Sequence, residues 1–289
     1  MATAGTHLED VSTLHVEAET HAEVAAPAHT PTLFAEPILG SAITNSLLTT
    51  WTVVVIIIGI SLSIRFSLKK IPTGIQNFFE IILEGALSLA DSVTGDRTKT
   101  LKFFPIVFAL FIFVLISNWL GLLPGIGSVG TNEIHDGHNV FIPFFRGGTA
   151  DLNTTLALSL FAVVGSHIVG VVMAGSWNHL NKFVNLKALI EIPRKVTSDP
   201  TIVLVNPIKV FVGLIEIIGE VAKVASLSFR LFGNIFAGEV LLASMAAIFA
   251  FLLPIPFMFL EVLVGVIQAL IFAMLTLVYF TIASSAEEH

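Results

Sequence analysis

Residues Asn206 to Phe251 read NPIKVFVGLIEIIGEVAKVASLSFRLFGNIFAGEVLLASMAAIFAF. After Pro207 no proline interrupts the run until Pro254-Ile-Pro256. As one helix, about 45 residues would extend about 70 Å at 1.5 Å per residue, against a hydrocarbon core of about 30 Å. Such a helix cannot stand upright in a bilayer. It must be strongly tilted, bent, or partly in the membrane plane. Met258 to Ala283 is apolar again. The chain is therefore expected to end in a long, strongly tilted helical hairpin over residues 206–283.

The rest of the chain points to the same solvent. Hydrophobic residues make up 55 % and charged residues 12 %, against about 25 % charged in soluble domains. Spanning helices are expected at Thr44 to Phe66, Phe103 to Leu123 and Asn153 to Ala174, each near the ~20 apolar residues a span requires. Ile75 to Val93 differs. Phe78, Phe79, Ile82, Ala86, Leu89 and Ala90 repeat at helical spacing, with Gln76, Glu80, Glu84 and Asp91 between them. That pattern predicts an amphipathic helix lying on the membrane surface. The expected fold is an all-α integral membrane protein with about five membrane helices and one surface helix. Residues 41–289 form the membrane domain. Residues 1–40 hold six acids, four histidines and no Lys or Arg, and read as a disordered, solvated tail without a cleavable signal.

Ten of the 14 cations fall in three clusters, Arg65 to Lys70, Arg97 to Lys102 and Lys182 to Lys195. Three spans put all three clusters on one face, which the positive-inside rule makes cytoplasmic. The polar loop from Pro124 to Ala150 carries only Arg146. The N-terminus is then outside and the C-terminus inside. A bacterial inner membrane is the expected location.

Lys209, Glu216, Glu220, Lys223, Arg230 and Asn234 are spaced 7, 4, 3, 7 and 4. At about 100° per residue all six fall within roughly 80° of one another. Arg230 lies deepest in apolar sequence. A charge at mid-membrane costs about 2.5–3.5 kcal/mol even on the lenient insertion scale, and arginine does not shed its proton. It must face protein or water. The return arm carries Glu261, Gly265, Gln268 and Tyr279 within about 60°. If Glu239 stands level with Glu261, the same antiparallel register sets Arg230 level with Gln268 and Glu220 level with Tyr279. Two acidic groups then open toward opposite faces, with a fixed positive charge between them. The cation separates the groups and attracts a carboxylate on a partner. A plain reading of the stripe as ion-pair glue between helices stands beside this.

Ser226 to Glu239 (SLSFRLFGNIFAGE) resembles the signature segment of subunit a of F-type ATP synthases, and Gln268 to Tyr279 (QALIFAMLTLVY) its last helix. Asn118 to Pro124 and Ala150 to Asn153 resemble its middle spans. The resemblance covers about residues 40 to 289. It implies that Arg230 faces a rotating ring of c subunits, each with a membrane-buried acid. It further implies that Glu239, Glu261, Gln268 and Asn234 line the outer half-channel or flank the arginine. Asn118, Asp151 and Asn153 match polar positions near the outer entrance, and Glu216 an acid of the inner half-channel. The implied assembly is the whole F1Fo complex, with b subunits of a peripheral stalk as neighbours. Some members carry histidine where this chain has Glu261. Two carboxylates at this level leave both proton and sodium admissible.

Other function classes find less support. The chain has no cysteine, no nucleophile beside a base and no metal-spaced His/Glu motif, so neither an intramembrane enzyme nor a metal or cofactor site is expected. The net charge of −7 does not suggest a nucleic-acid partner. A secondary transporter would carry internal repeats with broken helices, and the sequence has none. A structural assembly subunit would tolerate Arg230→Gln. His7, His15, His21 and His29 belong to the tail. His135 and His138 read as loop residues, and His167 as a hydrogen-bonded packing residue.

Overall fold

The computed structural model of the chain describes residues 32–38, 43–69, 74–123, 125–135, 138–176, 202–249 and 252–285. Most of the expected tail and the basic stretch Lys182 to Lys195 lie outside them. The described elements are α1 (Asn45–Ser67), α2 (Ile75–Thr94), α3 (Arg97–Leu122), β1 (Gly130–His135), β2 (His138–Pro143), a 3-10 turn (Gly148–Ala150), α4 (Leu152–Ala174), α5 (Ile202–Ile248) and α6 (Pro254–Ser285). Five of the helices, α1 and α3 to α6, are long and apolar enough to cross a membrane. The fold is an all-α membrane architecture with one small β-hairpin.

Local chemistry sets the helix ends. Asp96 begins α3 by accepting a hydrogen bond from the Thr98 N–H, and Thr44 begins α1 by accepting one from Leu47. Such caps satisfy amide donors that have no partner in the first turn. Gly95 adopts φ 66° between α2 and α3, a backbone region glycine enters without steric cost. The apolar run begins at Phe103, yet α3 starts six residues earlier, because Arg97 and Lys102 are good helix formers behind an aspartate cap. Pro254 opens α6 at a first-turn position, where its missing N–H costs nothing.

Two patches form the core. Leu110 and Val114 of α3, Ala162 and Val163 of α4, Leu227 and Leu231 of α5, and Ala269 and Phe272 of α6 make one. Ala90 of α2 joins Phe103, Phe104 and Val107 of α3 with Ala273, Leu277 and Phe280 of α6 in the other. In lipid such contacts rest on close van der Waals packing, which small residues permit. At Gly165 a Cβ would come 3.2 Å from the Phe280 ring.

The segment from Pro124 to Ala150, expected as a plain polar loop, contains the β1–β2 hairpin, with Gly130 opposite Pro143 and His135 opposite His138. Asp136-Gly137 between the strands is a two-residue hairpin signal. At Gly130 a Cβ would fall 2.2 Å from the Ile142 carbonyl oxygen, so only glycine allows that close pairing.

Candidate ion-translocation site

The arms α5 and α6 pack against each other and against α4. Asn234 Nδ2 on α5 donates to Gln268 Oε1 on α6 at 2.8 Å. One turn on, Gly238 backs onto the Glu261 carboxyl: a Cβ there would fall 2.2 Å from it. Toward the other end, Lys223 Nζ lies 5.3 Å from the centre of the Tyr279 ring. The hairpin therefore runs in the expected register to within one turn.

Arg230 is exposed on α5, beside the equally exposed Phe229, while Leu227, Ser228 and Leu231 turn into the bundle. The Ser228 hydroxyl meets Thr155 Oγ1 of α4 at 3.2 Å, which fixes the helix's rotation. Arg230 donates to Ser226 Oγ, one turn back, at 3.5 Å. Among the described residues no acid forms an ion pair with it.

Glu239 and Glu261 stand at one level but in different surroundings. Glu261 is 7 % exposed and lies against Gly238. Glu239 Oε2 accepts from Arg146 Nη2 at 3.0 Å and from Nε at 3.3 Å. Arg146 is itself buried and also donates to Thr32 Oγ1 and to the carbonyls of Thr32 and Phe34. An open cavity of about 520 Å³ adjoins this pair, lined in part by Gly121, Gly127, Arg146, Gly147, Glu239 and Leu242.

Asn118 is 2 % exposed; its Nδ2 donates to the Gly265 carbonyl and its Oδ1 accepts from Thr149 Oγ1 at 2.6 Å. Asp151 is 2 % exposed. Its carboxylate accepts from the amides of Ala35 and Asn153 and the hydroxyls of Ser46 and Thr154. It caps α4 and ties residues 32–38 down. Asn153 is exposed on the first turn of α4.

Farther along α5, Glu220 Oε1 accepts from Lys223 Nζ at 2.7 Å, and its Oε2 lies 3.5 Å from His167 Nε2. Glu216 is half-buried one turn earlier on the same helix. Lys209 lies near the start of the same helix.

The sequence reading missed Arg146, Thr32, Phe34 and Thr149, and left His167 as packing. For Arg146 a signal existed: it is the one Lys or Arg between Pro124 and Ala150.

The last two helices thus share a polar seam, with Arg230 exposed on its outside and paired to no acid among the described residues. The sequence profile of the ATP synthase A chain family matches residues 47–281. ATP synthase subunit a of Trichlorobacter lovleyi is 32 % identical, over 86 % of this chain and 90 % of that protein. The proteins of the same description from Geobacter sulfurreducens and Syntrophobacter fumaroxidans are 34 % and 33 % identical over 83 % of this chain, and over 86 % and 83 % of their own lengths. The chain belongs to the ATP synthase A chain family.

Proposed function

We propose that this chain is the stationary element of a rotary proton path in the membrane sector of an F1Fo ATP synthase, with two offset half-channels kept apart by Arg230. The observation that carries the reading is Arg230 itself, exposed on α5 with no acid among the described residues paired to it. A fixed charge on a lipid-facing surface is too costly unless a partner covers it. The partner of matching chemistry is a ring of c subunits whose buried carboxylates pass Arg230 one at a time.

In this reading the outer half-channel opens through the cavity beside Arg146 and reaches Glu261, Gln268 and Asn234. Arg146 engages Glu239 and keeps its own proton, so Glu261 is the outer acid assigned to pass protons to the ring. Asn118, Asp151 and Asn153 belong to the outer mouth, where Asn118 and Asp151 hold the backbone in place. Glu216, Glu220, Lys223 and Tyr279 form the inner group. Protons entering outside ride the ring and leave inside, so that ion flow turns the ring and drives ATP synthesis. The orientation is N-terminus out and C-terminus in, in a bacterial inner membrane. Exposed Glu84 and part-buried Glu80 of α2 offer a face for the b subunits. No cofactor takes part.

The test is ATP-driven proton pumping in membrane vesicles holding the intact complex, wild type against Arg230→Ala. Loss of pumping with normal assembly supports the reading, and a passive proton leak identifies the arginine as the barrier. Unchanged coupled pumping returns the seam to a structural role.

A further inference from the structure

His167 is the only ionisable side chain within α4. Its Nε2 lies 3.5 Å from Glu220 Oε2, with side-chain exposures of 30 % and 15 %. Glu220 Oε1 is already engaged by Lys223. Among the described residues Oε2 is buried and accepts no hydrogen bond, and the imidazole lies 3.5 Å from this oxygen that Lys223 leaves unmet. The helices packed against α4 bring further charged or titratable groups. On α5 these are Lys209, Glu216, Glu220, Lys223, Arg230 and Glu239. On α6 they are Tyr279, under Lys223, and Glu261 at the far end.

An imidazole changes charge near neutral pH and exchanges protons through two distinct nitrogens. We propose that His167 is a further proton-carrying residue of the Glu220 group. One proton moves from Nε2 of the imidazolium to Oε2 of the Glu220 carboxylate, leaving a neutral ring and a neutral acid; the reverse transfer restores both charges. Lys223 stays on Oε1 throughout. Flux through this group then depends on the pH of the face onto which it opens. The proposal rests on the half-channel reading above.

The experiment uses the whole complex in liposomes, with ATP synthesis driven by an imposed gradient and the pH of each compartment varied separately between about 6 and 8, the range in which histidine titrates. His167→Gln keeps side-chain size and a donor toward Glu220 but cannot carry a proton. The expected result is normal assembly, synthesis slower by about a hundredfold, as for losing one positioned proton-transfer group, and loss of the rate's inflection with pH on the Glu220 side. A His167→Gln complex with wild-type rate and pH profile overturns the proposal. Should that variant assemble poorly, Glu220→Gln takes its place: it keeps the imidazole and removes the acceptor, and survival of the inflection then overturns the proposal. Arg230→Ala, measured alongside, separates the two readings. Its failure to couple beside an unaltered His167→Gln sinks the histidine alone, whereas coupled synthesis in Arg230→Ala sinks the half-channels.

Discussion

Arg146 and Arg230 are treated by the fold in opposite ways. Arg146 is 6 % exposed and spends its guanidinium on Glu239, Thr32 and Phe34, all within the chain. Around it Asp151 and Asn118 are likewise met by amides, hydroxyls and a carbonyl. Arg230 stands on the outside of α5, and among the described residues its hydrogen-bond partner is a serine of its own helix. A charge that the chain neutralises itself fixes structure. A charge left facing outward in an apolar run must meet water or a second protein, because lipid solvates it poorly.

That contrast can be broken at either end. Arg230→Ala is expected to have the largest effect on activity, full loss of ATP-driven pumping, with little change in the amount of assembled complex. Arg146→Ala is expected to do the reverse. Removing one partner of a buried pair costs about 3 kcal/mol, the low end of the range because Glu239 keeps a quarter of its surface exposed. A lower melting temperature of the purified complex would report it. Arg146→Ala combined with Glu239→Gln should cost less than the two losses summed, since the orphaned charge is gone. Additive losses would mean that the pair is not coupled.

Smaller effects sharpen the boundary between the two ends. Gly238→Ala puts a methyl into the space of the Glu261 carboxyl, an overpacking expected to cost about 1–3 kcal/mol. Proton flux should drop with it, and a wild-type flux would mean that Glu261 has room to move. Gln268→Leu removes the acceptor of Asn234. Because Asn234 is exposed and can turn elsewhere, about 1 kcal/mol is expected, read as a slight shift in thermal unfolding.

Much of this was legible in the chain. The span expected from Thr44 to Phe66 is Asn45–Ser67, and that from Asn153 to Ala174 is Leu152–Ala174. Long apolar runs bounded by caps, glycines and charges define themselves locally. The amphipathic helix expected from Ile75 runs to Thr94; Ala86 and Ala90 of its apolar face pack into the bundle, whereas Phe78 and Leu89 of that face are exposed. The hairpin register was legible because polar residues in two apolar helices have few ways to meet. The segment 32–38 was not. It has no period, and what holds it are bonds to Asp151 and Arg146 more than 100 positions away. The unequal surroundings of Glu239 and Glu261 were hidden for the same reason: the two acids look alike along the chain, and only the approach of the 146 loop separates them.

By itself the sequence determined that the protein is built for lipid, that its last two helices share a polar seam, and that an arginine lies in that seam. These follow from composition, spacing and the energetic penalty of a charge in hydrocarbon, which act residue by residue. Only the tertiary structure decided which way each charge turns. It seated Arg146 on Glu239, set Glu261 against Gly238, brought His167 to Glu220 and left Arg230 facing outward. Those outcomes depend on helix rotation and on contacts between distant segments, fixed by packing at Ser228, Leu227 and Leu231 rather than by the pattern of any single stretch.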